Sequence, residues 1–348
     1  MGYNNSISYL KALGIVLMVI GHCTYEVPMA RQVIYMFHMP IFFFVAGFCF
    51  KRAYLEHPQD FLWKRVKGLY WPFVKWGLVF LLLHNLFFRW GIYSEEFAFM
   101  GWVNHPYTWQ ETVWKAIQIV LAMREPEQMV GGYWFLNALF WASLLSWLLL
   151  RLMRSWLAAL TALAVGLCMN RFGWYVPWLM IAPQALVSAF LFLVGHVFAE
   201  QKVRTFGVWQ IVGSLVLMVV GSFFWRSDLD RLFYSTPALI PYLATAVLTV
   251  WSLYSLSERW GHLIAGNVQR AWLFVGNHTL TVLTFHFLSF KLVSLLIIII
   301  DGLPIKHLGE YPVIISHARL GWWMVYAVVG VLVPLLGVWI EERLKAKQ

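Results

Sequence analysis

Long apolar runs alternate with short polar breaks over nearly the whole chain. Most of the apolar runs are about 20 residues long, which is the length that an α-helix needs to cross the hydrocarbon core of a bilayer. We therefore predict an all-α fold, a polytopic membrane helix bundle of about ten transmembrane helices. The predicted spans lie near residues 7–27, 33–50, 70–90, 132–150, 156–172, 178–199, 206–225, 237–256, 272–299 and 320–340.

Composition supports a membrane protein. Of the 348 residues, 61% are hydrophobic and only 12% are charged, which is too little polar surface for a soluble domain of this size. The first apolar run lacks a basic leader and a small-residue cleavage site, so we interpret it as a retained helix. The three cysteines lie within apolar stretches and give no disulfide framework or metal motif. Without linkers or repeats, residues 1–348 are predicted to form a single membrane-embedded domain.

The distribution of charge predicts the topology. Basic residues concentrate in the loops on one side of the membrane. The loops on the other side contain fewer basic residues, and most of the acidic ones lie there. By the positive-inside rule both termini are predicted to be cytoplasmic, in a multi-pass protein of the inner membrane. The net charge of +10 indicates affinity for anionic headgroups of the lipid bilayer, and no motif predicts a nucleic-acid partner. The oligomeric state does not follow from the sequence.

Two polar segments are long enough to have roles of their own. The predicted outer-side loop 91–131 is rich in Trp, Tyr and acidic residues, and either caps a site or forms an amphipathic segment that covers the bundle. The predicted cytoplasmic loop 51–69 is strongly basic. Topology alone explains its charge, but the same charge suits the phosphates of a soluble donor. The basic residues of interest are Arg52, Lys64, Arg65 and Lys67.

The first span contains a lysine and a histidine. Lys11 and His22 are eleven residues apart, so they return to within about 20° of one helix face, about 16 Å apart along the axis. Ionisable groups inside a span often mark a functional site. Glu26 follows His22 on the same face and can polarise one ring nitrogen while the other accepts a proton. In the structural alternative, Lys11 snorkels to the interface and Glu26 only marks the helix end.

Further candidate residues occur in later spans. The second span opens with His38-Met-Pro, and His38 either faces the same cavity as His22 or is a packed, hydrogen-bonded histidine. Trp134 begins the fourth span after two glycines. Asn277 and His286 belong to the ninth.

These motifs together resemble the acyltransferase 3 family, integral-membrane acyltransferases that modify sugars and surface polymers. The matching pieces are Lys11 with ten residues before His22, HMP-x-FFF-x-x-G at 38–47, KR and then Pro at 64–72, WFL at 134–136, FLFLVGHVF at the end of the sixth span, and GNHTLTVLTFHF at 276–287. Lys11 stands where the family commonly has arginine, so a forked phosphate contact is lost there. Ala46 replaces the small hydroxyl residue that often precedes the motif glycine.

The resemblance implies transfer of an acyl group, most often acetyl from acetyl-CoA, to a hydroxyl of a sugar or surface-polysaccharide precursor. It also implies that His22 is catalytic, and we add Glu26 and His38 as candidate partners. No metal is expected. A sugar hydroxyl is a poor nucleophile near neutral pH, and a neutral imidazole can take its proton as the thioester is attacked. The developing oxyanion needs donors, for which the candidates are Trp134, Asn277 and His286.

The donor is expected on the cytoplasmic side, where CoA is found. Its nucleotide would lie near the basic loop, and its pantetheine arm would follow the face of Lys11 toward His22. The predicted donor-binding residues are Lys11, Arg52, Lys64, Arg65 and Lys67.

Two other functions fit the sequence less well. A transporter or flippase of a lipid-linked sugar usually places carboxylates at depth, but the 16 Asp and Glu residues all fall in predicted loops or at span ends. A metal-dependent membrane hydrolase would need an HExxH motif or similar spacing, which the sequence lacks.

Overall fold

The structure, a computed structural model, describes residues 5–24, 27–124, 127–177, 181–225, 229 and 238–346. These residues are mainly helical, and their only extended pairing is an isolated bridge between Val176 and Ile181. The α-helices within these ranges are α1 (Asn5–Cys23), α2 (Pro28–Tyr35), α3 (His38–Phe48), α4 (Pro58–Arg65), α5 (Trp71–Arg89), α6 (Trp109–Ala122), α7 (Trp134–Leu152), α8 (Ser155–Phe172), α9 (Pro183–Glu200), α10 (Val208–Phe224), α11 (Leu239–Trp260), α12 (Gly266–Asn277), α13 (Thr279–Asp301), α14 (Ile315–His317) and α15 (Trp323–Lys345).

The predicted polytopic helical bundle is confirmed. Among the described residues, nine helical stretches are long and apolar enough to cross a membrane, and α10 is a shorter apolar helix where the span 206–225 was predicted. One predicted span, 272–299, is broken at His278, whose backbone is not helical. The break follows Gly276, where any side chain would collide with the backbone carbonyl of Ser8. The sidedness of the termini stays a prediction.

The described residues fall into two compact units. The first unit comprises those within Met1–Gly14, Gln32–Tyr70 and Phe135–Asn277. The second unit comprises those within Ile15–Arg31, Trp71–Trp134 and His278–Gln348. Helix α1 contributes its first half to the first unit and its second half to the second. The organisation of residues 1–348 as a single domain stays a prediction.

In the first unit, glycines let α3 and α9 pack backbone to backbone. A side chain on Gly47 would collide with the carbonyl of Phe192, and one on Gly195 would collide with the carbonyl of Phe44. Only glycine permits so close an approach, and small residues are the usual means of joining helices in a membrane. This contact fixes the end of α3 that leads into the basic loop.

In the second unit, α13 packs against α15 and α1. A Cβ atom on Gly330 of α15 would lie 2.5 Å from the ring of Phe290 and 2.9 Å from Val19. The three helices therefore meet closely at this glycine. The contact places the second half of α1 beside the middle of α13.

The predicted outer-side loop 91–131 contains α6, which packs against α5. Asn85 of α5 and Tyr107, just before α6, exchange two hydrogen bonds of 2.9 and 2.7 Å. Twelve residues after Tyr107, Ile119 of α6 lies against Gly77, which is also in α5. Helix α6 therefore runs back along α5. Its other face is apolar and exposed, with Trp109, Val113, Trp114, Ile117 and Leu121. This is the amphipathic helix that was one of the two alternatives for the segment.

Candidate functional site

His22 lies on the last turn of α1, in the second unit, and its side chain is half-buried. Its ring centroid is 5.4 Å from that of His286, with the ring planes 30° apart, and 4.9 Å from that of Phe287. The end of α1 is held against α15, where Cys23 Sγ lies 3.3 Å from the carbonyl oxygen of Trp323. Two of the imidazoles selected from the sequence are thus neighbours.

His286 is fully buried, and its hydrogen bonds define its tautomer. Nδ1 lies 3.1 Å from the carbonyl oxygen of Val282 and 3.0 Å from that of Leu283. Because a carbonyl oxygen only accepts, Nδ1 carries the hydrogen and donates it. A neutral ring then has a lone pair at Nε2, and no described residue is a partner for that atom. Neutral His286 therefore presents an acceptor, whereas the predicted oxyanion role requires a donor.

A 3₁₀ turn, Gln128–Tyr133, lies across this part of α13. A Cβ atom on Gly131 would be 3.4 Å from the Phe287 ring, and one on Gly132 would be 2.8 Å from Leu283. Glycine at both positions allows the turn to approach the helix. The two contacted residues flank His286, so the turn covers the helical segment that carries this imidazole.

A short hydrogen-bond chain links the end of this turn to α13. The Tyr133 hydroxyl lies 2.7 Å from Thr284 Oγ1, and Thr284 Oγ1 donates to the carbonyl oxygen of Leu280 at 2.8 Å. Since threonine has one hydroxyl hydrogen, Tyr133 is the donor in the first of these bonds. Trp134 follows at once as the first residue of α7 and is half-buried. The oxyanion role of Trp134 stays a prediction.

A buried ion pair, His84 with Glu127, joins α5 to the end of the segment 91–131. Their side chains are 1% and 0% exposed, and His84 Nδ1 lies 3.0 and 2.9 Å from the two carboxylate oxygens. His84 Nε2 donates to the carbonyl oxygen of His105 at 2.9 Å, and the ring stacks on Tyr107 at 3.3 Å. Burial raises the pKa of the Glu127 carboxyl, and the hydrogen bonds from His84 oppose that shift.

Gln128 follows Glu127 directly and is also fully buried. Neither its amide nitrogen nor its amide oxygen has a partner among the described residues. Leaving a buried polar group unsatisfied costs about 1–3 kcal/mol, so such groups are rare in native proteins. The sequence motifs include none of His84, Glu127 or Gln128. The only signal was an acid and an amide directly before an apolar span.

In the first unit, three of the five predicted donor-binding residues are close enough to one thiol to act on it electrostatically. Lys11, Lys64 and Arg65 all act electrostatically on Cys49, which is free and exposed directly after α3. Packing around the sulfur raises the pKa of the Cys49 thiol, and the three cations act in the opposite direction. The structure thus gathers cations that are up to 54 residues apart in sequence, as counted from Lys11 to Arg65.

Arg65 and Lys64 are held by aromatic rings. The Arg65 guanidinium lies 5.0 Å from the ring centroid of Phe61 and 5.9 Å from that of Phe192, and its Nε has no partner among the described residues. Lys64 Nζ donates to the Tyr54 hydroxyl at 2.9 Å. Aromatic faces attract these cations without neutralising them. Their charge therefore stays available to an anion.

The other two predicted donor-binding residues differ in their surroundings. Arg52 forms an ion pair with Glu200 at 3.0 Å, so a carboxylate already offsets its charge. Lys67 is exposed in the π-turn Val66–Tyr70 that joins α4 to α5. Turns of this kind occur frequently at functional sites. The structure does not place Arg52 or Lys67 among the cations that act on Cys49.

The remaining predicted site residues are His38, Asn277 and Glu26. His38 is buried in the first unit, where its Nδ1 donates to the carbonyl oxygen of Ile34 at 2.8 Å and its ring lies 4.8 Å from Tyr35. Burial and this hydrogen bond agree with the packed alternative for His38, and its catalytic role stays a prediction. Asn277 is exposed at the end of α12, also in the first unit. Glu26 lies outside the described residues.

Comparison with known proteins assigns the family. The family model described as an acyltransferase domain, that of the acyltransferase 3 family, matches residues 4–342. No curated protein and no solved structure matches the chain. The family match covers nearly the whole chain, including both units and the motifs from Lys11 to His286. The chain is therefore a multi-pass helical membrane protein that belongs to the acyltransferase 3 family.

Proposed function

We propose that this acyltransferase moves an acyl group, most simply acetyl, from acyl-CoA to a hydroxyl of a sugar or surface-polysaccharide precursor. The proposal places it in the inner membrane, with both termini in the cytoplasm. The observation that carries it is the half-buried His22 ring beside His286, at the end of a helix that also bears Lys11. An imidazole in that position can meet a substrate and exchange a proton with it.

In the proposed reaction His22 acts first as a general base and then as a general acid. A ring nitrogen of His22 takes the proton of the acceptor hydroxyl while the oxygen attacks the thioester carbonyl. The tetrahedral intermediate then collapses, the carbon–sulfur bond breaks, and the thiolate of CoA takes the proton back from His22. The products are the acyl ester and free CoA. Glu26 is proposed to hold the second nitrogen of His22, and Trp134 and Asn277 remain candidates for oxyanion donors.

The donor is proposed to bind through the cations of the first unit. CoA carries several phosphate charges, and a charge-assisted hydrogen bond is about twice as strong as a neutral one. Lys11, Lys64 and Arg65 are three cations that act electrostatically on Cys49. Helix α1 carries Lys11 about 16 Å before His22, a spacing compatible with an extended pantetheine arm. Arg52 and Lys67 are proposed as weaker, peripheral contacts.

Protection of Cys49 tests the proposed donor site without requiring turnover. In a Cys168→Ser background, Cys49 is the exposed cysteine, because Cys23 is buried. Desulfo-CoA, which lacks a thiol that would consume the reagent, should slow alkylation of Cys49 by a maleimide. Bound nucleotide both covers the sulfur and neutralises the nearby cations. Mass spectrometry of the intact protein measures the labelled fraction, and unchanged labelling at saturating desulfo-CoA would place the donor elsewhere.

The variant Lys64→Gln/Arg65→Gln should raise the desulfo-CoA concentration for half-protection about 10- to 100-fold, since two phosphate contacts are lost. The KM for acetyl-CoA should rise similarly while kcat changes little. Lys202→Gln/Arg204→Gln removes the same charge from exposed positions of the first unit and is the matched control. An equal rise of the half-protecting desulfo-CoA concentration in both double variants would indicate a general charge effect and no defined donor site.

A further inference from the structure

A cavity of about 700 Å³ lies within the second unit, and none of the candidate catalytic histidines lines it. Helix α13 lines the cavity from Leu280 to Leu295, which makes it about 22 Å long. The C-terminal half of α15, Trp76 of α5 and two loop residues form the rest of its wall. We call this cavity the α13 groove, because exposed lining residues such as Leu292 mark an opening along its side.

The polar side chains in the middle of the α13 groove have partners within the protein. Thr284 Oγ1 and Ser289 Oγ each donate to a carbonyl oxygen of α13 itself, at 2.8 and 2.9 Å. Lys291 Nζ donates to the carbonyl oxygens of Leu308 and Glu310 at 2.9 and 2.6 Å. Because its charge is held by these carbonyls, the lysine contributes its methylene stem to the groove wall. The middle of the groove therefore suits a hydrocarbon chain and not a hydrated ligand.

The α13 groove is too narrow for a helix. A volume of about 700 Å³ over a length of about 22 Å gives a mean width of about 6 Å. A helix with its side chains is about 10–12 Å wide, so a helix of a second copy or of another protein cannot enter. One extended acyl chain fits this width. The groove is also longer than one leaflet of hydrocarbon, about 15 Å, so it can hold a whole lipid chain.

The end of the α13 groove beside Leu280, which we call its mouth, carries a carboxylate. Glu341 of α15 lines the groove at this end, since the adjacent Glu342 lies 3.4 Å from His278, next to the start of α13. Glu341 Oε1 accepts a hydrogen bond from Lys345 at 2.5 Å. Among the described residues, Oε2 of Glu341 has no partner. One carboxylate oxygen is therefore left for a ligand at the mouth.

A cation lies near this carboxylate. Lys75 Nζ of α5 is 4.7 Å from the ring centroid of Trp76, which lines the groove, and it acts electrostatically on Glu341. Within the described part of the chain, Lys75 forms no ion pair, so the two charges are near each other but not in contact. A headgroup that carries both a phosphate and an ammonium complements this arrangement.

We propose that the α13 groove binds one acyl chain of a glycerophospholipid whose headgroup carries a phosphate and a primary ammonium. The chain lies along α13, the phosphate faces Lys75, and the ammonium donates to Glu341 Oε2. A choline headgroup has no ammonium hydrogen to donate, and an anionic headgroup without an ammonium would place a negative charge against Glu341. The groove therefore selects among membrane lipids. This site is independent of the proposed acyl transfer.

The variant Gly337→Leu tests where the acyl chain lies. A Cβ atom on Gly337 meets no atom within 4 Å, so leucine can enter the groove without a clash and take the place of the chain. Dioleoyl phosphatidylethanolamine is added to delipidated protein in detergent, and native mass spectrometry measures the bound fraction. The variant should bind this lipid about 10-fold or more weakly, because several methylenes lose their contacts. Gly213→Leu, at an exposed glycine of α10 with equally free surroundings, is the matched control.

The headgroup is tested with lipids that share the same dioleoyl chains. The wild type should bind phosphatidylethanolamine about 10-fold more tightly than phosphatidylcholine or phosphatidylglycerol, the effect of one charge-assisted hydrogen bond. Glu341→Gln should remove most of the preference over phosphatidylcholine. Lys75→Gln should weaken both of these lipids by a similar factor, because the phosphate is common to them. Glu258→Gln, at an exposed carboxylate near the end of α11, should keep the preference of the wild type.

Several results would overturn the proposal. Equal affinity of the wild type for the three lipids would refute headgroup selection, and so would a preference that survives Glu341→Gln. Binding that is as tight in Gly337→Leu as in Gly213→Leu would refute the groove as the site of the chain. If Gly337→Leu does not fold, the comparison of Glu341→Gln with Glu258→Gln still decides. Lipid binding is measured without acyl-CoA, so a lack of acyl transfer would refute the proposed function and leave this site intact.

Discussion

His22→Ala should lower kcat by about 100- to 10,000-fold, because the variant lacks the group that takes the proton from the acceptor hydroxyl. The side chain is half-buried, and its ring packs against His286 and Phe287. The melting temperature should therefore change little. The measurement is the rate of acetyl transfer by the purified protein in lipid nanodiscs, with thermal unfolding of the same sample.

His262→Ala is the control for this variant, because His262 is exposed in a short 3₁₀ turn of the first unit. It should behave as the wild type in both measurements. A His22→Ala protein that folds and keeps more than a tenth of the activity would mean that another group is the base. His286 would then be the first residue to test in its place.

His84→Leu should destabilise the protein by about 3–5 kcal/mol, because removal of one partner leaves the Glu127 carboxylate buried without its counter-charge. The stacking of the ring on Tyr107 is lost as well. The melting temperature should fall by roughly 5–10 °C. The double variant His84→Leu/Glu127→Leu should regain much of the lost stability, since a pair of apolar residues often replaces a buried ion pair at little cost in free energy.

The exposed pair of His105 with Glu111, 2.9 Å apart in the same segment, provides the control. His105→Ala should cost less than about 1 kcal/mol, as exposed ion pairs generally do. Similar losses of stability in His84→Leu and His105→Ala would mean that the buried pair does not hold the segment 91–131 on α5. A double variant that melts below His84→Leu would contradict the assignment of the loss to the uncompensated carboxylate.

Hydropathy predicted the spans well, because apolar length directly reports what a bilayer requires. It did not predict the break at His278 or the position of α6 along α5. The break lies two residues after Gly276, whose close approach to Ser8 is a tertiary contact that hydropathy does not report. Helix α6 contains polar residues such as Glu111 and Lys115, so its sequence is typical of a loop or a surface helix rather than of a segment packed on a span.

For the candidate site as well, the sequence predicts single residues, whereas their contacts depend on tertiary packing. The sequence identified His22 and His286 individually, but only the fold shows that their rings lie 5.4 Å apart and that the buried Nε2 of His286 has no partner among the described residues. It grouped Lys64 and Arg65 by proximity in the chain, whereas their gathering with Lys11 around Cys49 needs the packing of the first unit. The His84 and Glu127 pair spans 43 residues and follows no helical periodicity.

We propose that the acceptor lies on the outer side of the membrane, and transfer to it from cytoplasmic acyl-CoA is tested most directly in sealed right-side-out membrane vesicles. Labelled acetyl-CoA is either trapped in the lumen or added outside, and methyl glycosides are supplied outside. The account predicts labelled glycoside in the external medium only with luminal acetyl-CoA, and none in vesicles that carry His22→Ala. Labelling from external acetyl-CoA alone, or equal labelling with His22→Ala, would contradict it.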